Sequence, residues 1–180
     1  MEIKTLKYTE NYCEENIWQL CQHPDLKEFS KKVLFISNQS KNCIFHFQKS
    51  AIGNSPVWWD YHVVLLASQN NQRLIFDLDS TLGLPSELQD YIEKTFGSPQ
   101  DGNHPEFKVI DSDNYVTGFC SDRRHMQDPI GTWIFEPPHW PLIETKNHLP
   151  IQELMDFSEK SKQRIFSLEE LAEKEIMVKV

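Results

Sequence analysis

Apolar residues recur along the chain with two spacings, which divide it into strand-like and helix-like segments. Runs of β-branched and aromatic residues predict strands, whereas apolar residues three or four positions apart predict helices. Because the strand-like runs occupy the first two-thirds of the sequence and helices lie before and after them, the pattern predicts an α+β fold. The predicted strands cover residues 32–37, 43–48, 57–67, 73–79 and 107–110.

The predicted helices begin at residues that can cap an N terminus. Asn11 has an N-cap side chain and Glu14 follows three residues later, which is the pattern of a capping box. This first helix ends before Pro24. Ser167 and Glu170 repeat the capping-box pattern near the end of the chain. Further helices are predicted over residues 85–96, closed by Gly97, over 151–159 and over 167–175.

Two polar turns predict which strands are neighbours. Residues 38–41 predict a hairpin between the first two strands, and residues 68–72 predict another between the third and the fourth. Five of the ten prolines lie in residues 128–150, so we expect an irregular segment that covers the rest of the fold.

Length and charge restrict the class of protein. A chain of 180 residues, 39% hydrophobic and 25% charged, fits a single domain over residues 1–180 that needs no disulfide. Its 27 acidic and 18 basic residues give a net charge of −9, which argues against nucleic acid as a partner, because phosphate binding takes basic excess. The longest apolar stretch, residues 63–67, is far shorter than the ~20 residues of a membrane span. Since no leader pattern opens the chain, we expect no membrane partner and a cytoplasmic protein.

Cys13 is the first candidate for chemistry. The four cysteines, which include Cys21, Cys43 and Cys120, form no C-x-x-C pair, so we expect free thiols. A thiol in the first turn of a helix feels the positive end of the helix dipole, which lowers its pKa. The neighbouring Glu14 opposes this effect, so Cys13 would still need a histidine. The alternative is a buried, inert cysteine, which is the reading we give to the other three.

His62 and two aspartates are the next candidates. His62 lies in an apolar strand, where a titratable group must have a partner. Alternation along residues 73–79 places Asp77 and Asp79 on one face. If the connecting loop has an even number of residues, His62 shares that face, either opposite Asp77 or opposite Asp79 with Asp77 diagonal. A five-residue loop would separate the groups, and the alternatives are a core histidine and aspartates that cap a strand end.

These residue types fit a thiol catalytic triad. A cysteine would be the nucleophile, the histidine would take its proton, and an aspartate would orient the histidine. The pattern alone leaves both Asp77 and Asp79 open as the third member.

Several long blocks of the sequence are specific enough to indicate a family. They read YCEENIW at residues 12–18, FISN at 35–38, WDYHVVLL at 59–66, DLD at 77–79, FCSDRRHM at 119–126 and EPP at 136–138. Together they resemble the protein N-terminal glutamine amidohydrolase family from about residue 12 to about residue 171. The family commonly has alanine where this chain has Cys120, and the chain also differs over residues 39–55.

The resemblance implies a fold and a reaction. The implied fold is a papain/transglutaminase-like α-β-α core with a central antiparallel sheet and flanking helices. The implied triad is Cys13, His62 and Asp77, which deamidates an N-terminal glutamine of a polypeptide to glutamate through a thioester and releases ammonia. No metal or organic cofactor is implied. We expect a monomer in the cytoplasm and also the nucleus, where the new N-terminal glutamate is arginylated and leads to ubiquitin-dependent degradation.

The substrate of such an enzyme carries an α-ammonium group, which needs an anion near the pocket. Asp60, Asp122 and Glu136 are candidates, and each has the alternative of a structural or solvated carboxylate. Other expectations concern further residues of the sequence: Trp58, Trp59 and Trp133 as pocket walls, His125 as a loop anchor, Arg123 and Arg124 in surface ion pairs, and Asp79 as the cap of a turn.

Two other functions remain open. Another thiol acyl-transfer enzyme on the same core, such as a cysteine peptidase or a transglutaminase, would use the same triad. A catalytically inactive module that binds N termini would retain the pocket without turnover. The products separate these possibilities, because only the amidohydrolase releases ammonia without cleaving or cross-linking the chain.

Overall fold

Five antiparallel strands form the central sheet in a computed structural model, which describes residues 5–97 and 104–173. Across this sheet the order is β6, β5, β4, β1 and β7, while β2 pairs with β3, and β8 pairs with β9 in parallel. The strands are β1 Ser30–Ser37, β2 Cys43–Phe45, β3 Val57–Trp59, β4 His62–Gln69, β5 Gln72–Phe76, β6 Ser86–Glu87, β7 Glu106–Asp111, β8 Phe119–Cys120 and β9 Leu149–Pro150.

Helices cover both faces of the sheet. Alternate residues of β1 and β4 point to opposite sides, so each face has its own apolar core. Val33 and Val63 belong to the core beneath α1 and α3, whereas Leu34 and Val64 belong to the core beneath α2 and α5. Among the described residues, no helix has the length and apolar character to span a membrane. The helices are α1 Cys13–Cys21, α2 Leu88–Phe96, α3 Ser112–Gly118, α4 Ile151–Leu154 and α5 Leu168–Ala172.

The predicted α+β class with a central antiparallel sheet is confirmed, but one hairpin is wrong. β1 does not pair with β2; it lies between β4 and β7. The reason is burial, because β1 is covered on both faces from Lys32 onward and its polar backbone groups need a neighbour on each side. The long strand predicted over residues 57–67 is divided into β3 and β4 by Asp60 and Tyr61.

The second predicted hairpin is confirmed, together with its even loop. Asn70 and Asn71 connect β4 to β5 with φ angles of 50° and 66°, as a two-residue turn of the primed type requires. Gln69 therefore pairs with Gln72, and Leu65 pairs with Phe76. Since β5 ends at Phe76, Asp77 and Asp79 lie beyond the paired residues, in the turn that follows the strand.

The predicted cap is wrong at the N terminus of α1 and confirmed at the N terminus of α5. Asn11 is not the N-cap of α1, because its φ of 65° turns the chain and Tyr12 takes the capping position. The entry to α1 is instead fixed from inside the helix, since the Asn16 side chain forms two hydrogen bonds with the backbone of Thr9. The capping box of Ser167 and Glu170 is confirmed at α5, although the last two residues of that predicted helix lie outside the described residues.

The remaining helices are shorter than predicted or were not predicted. α2 begins three residues late because Ser86 and Glu87 pair with β5, and it ends at Gly97 as expected. α4 covers only the first turn of the helix predicted over residues 151–159. α3 has no counterpart in the prediction; its N-cap is Asp111, whose side chain accepts a hydrogen bond from the amide of Asp113.

A buried ion pair ties the predicted covering segment to α1. Residues 128–150 are irregular as expected, apart from β9 at their C-terminal end. Arg123 donates two hydrogen bonds of 2.7 Å to the carboxylate of Glu15, and the Trp140 indole donates a third of 2.6 Å. Arg123 also donates to the carbonyl of Trp140. The expectation of a surface ion pair is therefore wrong for Arg123, whose side chain is 10% exposed, and right for Arg124, at 85%.

We predict that Arg123→Ala destabilises the fold by about 3–5 kcal/mol, because Glu15 would then be a buried charge without a cation. The matched control is Arg124→Ala, which removes an exposed ion pair with Asp122 and should change the unfolding free energy by less than about 1 kcal/mol. Denaturant unfolding of both variants measures the difference. Equal losses for the two would contradict the assigned role of the Glu15 pair.

Candidate active site

His62 and Asp77 form a buried hydrogen bond at the start of β4. Nε2 of His62 lies 2.8 Å from Oδ1 of Asp77, and both side chains are almost completely buried. An ionised carboxylate only accepts hydrogen bonds, so Nε2 carries the proton of this bond. The other ring nitrogen, Nδ1, is therefore left for proton exchange in the neutral imidazole.

Asp77 accepts three more hydrogen bonds. Gln48 and the Tyr91 hydroxyl donate to Oδ2 at 3.1 and 2.9 Å, and the amide of Asp79 donates to Oδ1 at 3.0 Å. Burial raises the pKa of Asp77, but the charge of His62 and these hydrogen bonds outweigh it, so the pKa is lowered. Asp77 is consequently a carboxylate near neutral pH and holds its partner through both oxygens.

Aromatic rings fix the His62 imidazole from two sides. The Trp59 ring stacks on it at 5.8 Å between centroids, and Phe45 packs edge-on at 5.3 Å. The Trp59 indole also donates to Gln48, which joins this ring to the Asp77 network. Burial lowers the pKa of His62, but the charge and hydrogen bond of Asp77 outweigh it and raise the pKa.

Cys13 and His62 lie in the wall of one cavity of about 290 Å³. This cavity, called the Cys13 cavity below, opens where the N terminus of α1 meets the start of β4. Asp79, His125 and Phe135 also contribute to its wall. The fold thus brings together the three residues that the resemblance implies, with Asp77 bonded to His62 and Cys13 beside the same opening.

The thiol of Cys13 lies among carboxylates. Its Sγ is 3.5 Å from Oε2 of Glu14. Burial and the charges of Glu14 and Asp79 raise the pKa of Cys13 and outweigh the backbone amide of Val63, which lowers it. Burial, Glu14 and Asp79 thus oppose the effect of the helix dipole, as the sequence predicts for Glu14, and they favour the thiol form of Cys13.

Glu14 and Asp79 are both buried but differ in their partners. Oε2 of Glu14 accepts a hydrogen bond of 3.2 Å from the Tyr61 hydroxyl, and burial raises the pKa of Glu14. Asp79 accepts a hydrogen bond from the Tyr8 hydroxyl and faces the Cys13 cavity. The prediction that Asp79 caps the turn after its strand is wrong, because the carboxylate that caps this turn is Asp77.

The three carboxylates predicted as ammonium binders lie in different places. Asp60 is exposed at the wall of the Cys13 cavity, and its Oδ1 accepts a hydrogen bond from the amide of Tyr61. Asp122 pairs with Arg124 and borders a separate cavity. Glu136 is not among the described residues that line the Cys13 cavity.

The other predicted residues are similarly divided. Trp59 lines the Cys13 cavity, whereas Trp133 borders the cavity of Asp122 and Trp58 is half-exposed.

His125 reaches the Cys13 cavity, and its Nδ1 forms a hydrogen bond of 2.6 Å with the carbonyl of Asp122, which agrees with a loop anchor. The remaining thiols are free. The prediction that they are buried is confirmed for Cys21 and Cys43 and is wrong for Cys120, which is partly exposed and contacts Thr145.

Sequence reasoning missed Gln48 and Tyr91, which hold Asp77. Gln48 is the last residue of the strand predicted over residues 43–48, and Tyr91 lies within the helix predicted over residues 85–96. A buried tyrosine hydroxyl requires a hydrogen-bond partner, so a tyrosine in a helix that packs on the sheet predicts such a bond. Only the fold identifies the partner of Tyr91.

Donor atoms of His62, Asp77 and Asp79 lie within 4.8 Å of one another, which is close enough to surround a metal ion. The hydrogen bonds described above account for this closeness, because Asp77 uses both of its oxygens for them. A metal ion would have to displace those donors from Asp77.

Comparison with known proteins relates the chain to proteins that share one name. A profile described as N-terminal glutamine amidase matches residues 8–178. Proteins named protein N-terminal glutamine amidohydrolase from Bos taurus and Homo sapiens are 43% identical over 147 residues, which cover 77% of this chain and 70% and 71% of theirs. The protein of that name from Drosophila ananassae is 38% identical over 157 residues, covering 82% of this chain and 77% of its own. The chain therefore belongs to the N-terminal glutamine amidase family.

Proposed function

We propose that this protein hydrolyses the side-chain amide of an N-terminal glutamine on a polypeptide, which gives an N-terminal glutamate and ammonia. The observation that carries this proposal is the buried bond between His62 and Asp77 at the cavity that also contains Cys13, in a chain of this family. The substrate of the proposal is inferred from the names of the relatives.

In the proposed mechanism, Cys13 is the nucleophile and His62 moves the protons. Nδ1 of His62 takes the thiol proton as Sγ attacks the amide carbon of the substrate side chain. The amide oxygen becomes an oxyanion, for which the backbone N–H of Cys13 at the start of α1 is a donor. His62 then gives the proton to the departing nitrogen, so that ammonia leaves and a thioester to Cys13 remains.

The second half of the reaction releases glutamate. Neutral His62 removes a proton from water, whose oxygen attacks the thioester carbon. The C–S bond breaks and His62 returns its proton to the sulfur. Asp77 stays ionised throughout and keeps the Nε2 proton in place, and no metal or organic cofactor enters the scheme.

Other parts of the proposal are expectations from the sequence and from the resemblance. They are the papain/transglutaminase-like relationship of the core, a monomeric state, and action in the cytoplasm and nucleus. The proposed role of the product is to mark proteins for degradation through their new N-terminal residue.

A different thiol acyl-transfer activity is the alternative that shares this site. Incubation with peptides that begin with Gln or Asn, or that carry internal Gln, tests it through ammonia release and product mass. Ammonia with intact, uncross-linked peptide supports the amidohydrolase. Cleaved or cross-linked peptide supports a peptidase or a transglutaminase, and no turnover of any peptide supports a binding module.

Cys13→Ala should reduce turnover of an N-terminal glutamine peptide by at least about 10³-fold while the protein stays folded, because the nucleophile is lost. The matched control is Cys120→Ala, which removes the other partly exposed thiol and should keep activity. Ammonia release and thermal unfolding are measured for both. Near wild-type turnover by Cys13→Ala would remove Cys13 as the nucleophile.

Asp77→Asn should lower kcat by roughly 10²–10⁴-fold, because the amide can turn its NH₂ group toward Nε2 and favour the wrong tautomer of His62. Asp111→Asn makes the same atomic change at the cap of α3 and should affect stability only. The kcat of each variant is compared with its thermal midpoint. Full activity in folded Asp77→Asn would contradict the orienting role.

Substrates should require both a free α-amino group and the length of a glutamine side chain. Acetylation removes the ammonium charge, and asparagine, one methylene shorter, holds its amide carbon away from Cys13. We therefore expect at least about tenfold lower kcat/KM for acetylated peptides and for N-terminal asparagine, measured by ammonia release. Equal kcat/KM for internal or acetylated glutamine would refute the specificity for N termini.

A further inference from the structure

An N-terminal glutamine differs from an internal one by a positive charge close to the reacting amide. Four covalent bonds separate the α-nitrogen from the side-chain amide carbon, so the two atoms are at most about 5 Å apart. When that carbon is held at Sγ of Cys13, the ammonium must lie in the same cavity. A carboxylate in the cavity wall would bind it through its charge as well as through a hydrogen bond.

Two carboxylates, Asp60 and Asp79, belong to the described wall of the Cys13 cavity. Asp60 is exposed to water, which weakens an ion pair. Asp79 is only 8% exposed. A third carboxylate, Glu14, touches Sγ but is not among the described residues that line the cavity, and its Oε2 accepts the hydrogen bond of the Tyr61 hydroxyl.

Asp79 is also close to the reacting groups. One of its oxygens lies within 4.8 Å of a ring nitrogen of His62, and its charge raises the pKa values of both Cys13 and His62. Within the described part of the chain, Asp79 forms no ion pair with a lysine or arginine. The nearby ammonium of Lys49 instead donates to the carbonyl of Leu78 at 2.7 Å.

We propose that Asp79 binds the α-ammonium group of the substrate and so selects N-terminal over internal glutamine. The inference rests on the proposed function and names the residue behind its specificity. Tyr8 is a positioning residue, because its hydroxyl donates to Oδ1 of Asp79 and leaves Oδ2 for the ammonium. The charge of the bound substrate would thereby compensate a carboxylate that the fold holds buried beside the nucleophile.

The test compares two peptides that differ only in the α-amino group. One begins with glutamine, and in the other a hydrogen replaces the α-amino group, so that the amide is unchanged and the charge is absent. The wild-type protein should prefer the amino peptide by roughly 10- to 100-fold in kcat/KM, the value of a charge-assisted hydrogen bond. In Asp79→Asn, kcat/KM for the amino peptide should fall, so that most of this preference is lost. The kcat/KM for the des-amino peptide should change little.

Three further variants make the test specific. Asp90→Asn makes the same change on the exposed side of α2 and should leave both rates as in wild type. Asp60→Asn tests the competing carboxylate and should keep the preference for the amino peptide over the des-amino peptide. Asp79→Ser removes the charge with a smaller side chain and should behave as Asp79→Asn, so the result does not depend on the folding of one variant.

Alkylation of Cys13 by iodoacetamide separates a substrate-binding role from damage to the site. Because Asp79 raises the pKa of Cys13, its removal should leave the alkylation rate unchanged or faster. Slower alkylation together with equal losses for both peptides would make Asp79 structural and overturn the proposal. The proposal would also be overturned if Asp79→Asn kept the preference for the amino peptide, or if only Asp60→Asn lost that preference. A wild-type protein that hydrolyses neither peptide would instead refute the proposed function.

Discussion

The site depends on one buried carboxylate. Asp77 lies between the central sheet and α2, where an ionised group without partners would be strongly destabilising. His62, Gln48, Tyr91 and the amide of Asp79 each donate a hydrogen bond to it. These donors come from four separate parts of the chain, so the sheet, α2 and the loop before β3 must all be in place. The same bonds leave His62 with one orientation and one tautomer.

Carboxylates surround Cys13 and make its cavity acidic. Burial, together with the charges of Glu14 and Asp79, raises the pKa of Cys13 in the free protein, in contrast to what its place at a helix N terminus would favour. In the proposed mechanism the thiolate therefore forms as the thiol proton moves to His62 during the attack on the substrate. A cationic substrate group beside Asp79 would reduce the opposing charge, so the acidity of the cavity suits an N-terminal glutamine and also links binding to activation of the thiol.

The sequence predicted contacts that local geometry determines and missed those that tertiary packing determines. The two-residue turn at Asn70 and Asn71 fixes a register that leaves His62 and Asp77 at the same end of the paired strands β4 and β5. By contrast, the strand order around β1 follows from its burial on both faces, which a polar turn does not reveal. Arg123 is 108 residues away from Glu15 along the chain, so neighbouring charges could not identify the buried pair. The choice of Asp77 over Asp79 came from the family resemblance and not from the pattern.

The central claim is that Cys13 carries the substrate as a thioester, and the intact mass of the protein after rapid acid quench tests it directly. A saturating N-terminal glutamine peptide should add its own mass less that of ammonia, and digestion should locate the addition at Cys13. The adduct should be absent when the peptide is acetylated. An adduct on another residue, or glutamate formed during the first turnover with only unmodified protein at every quench time, would contradict the account.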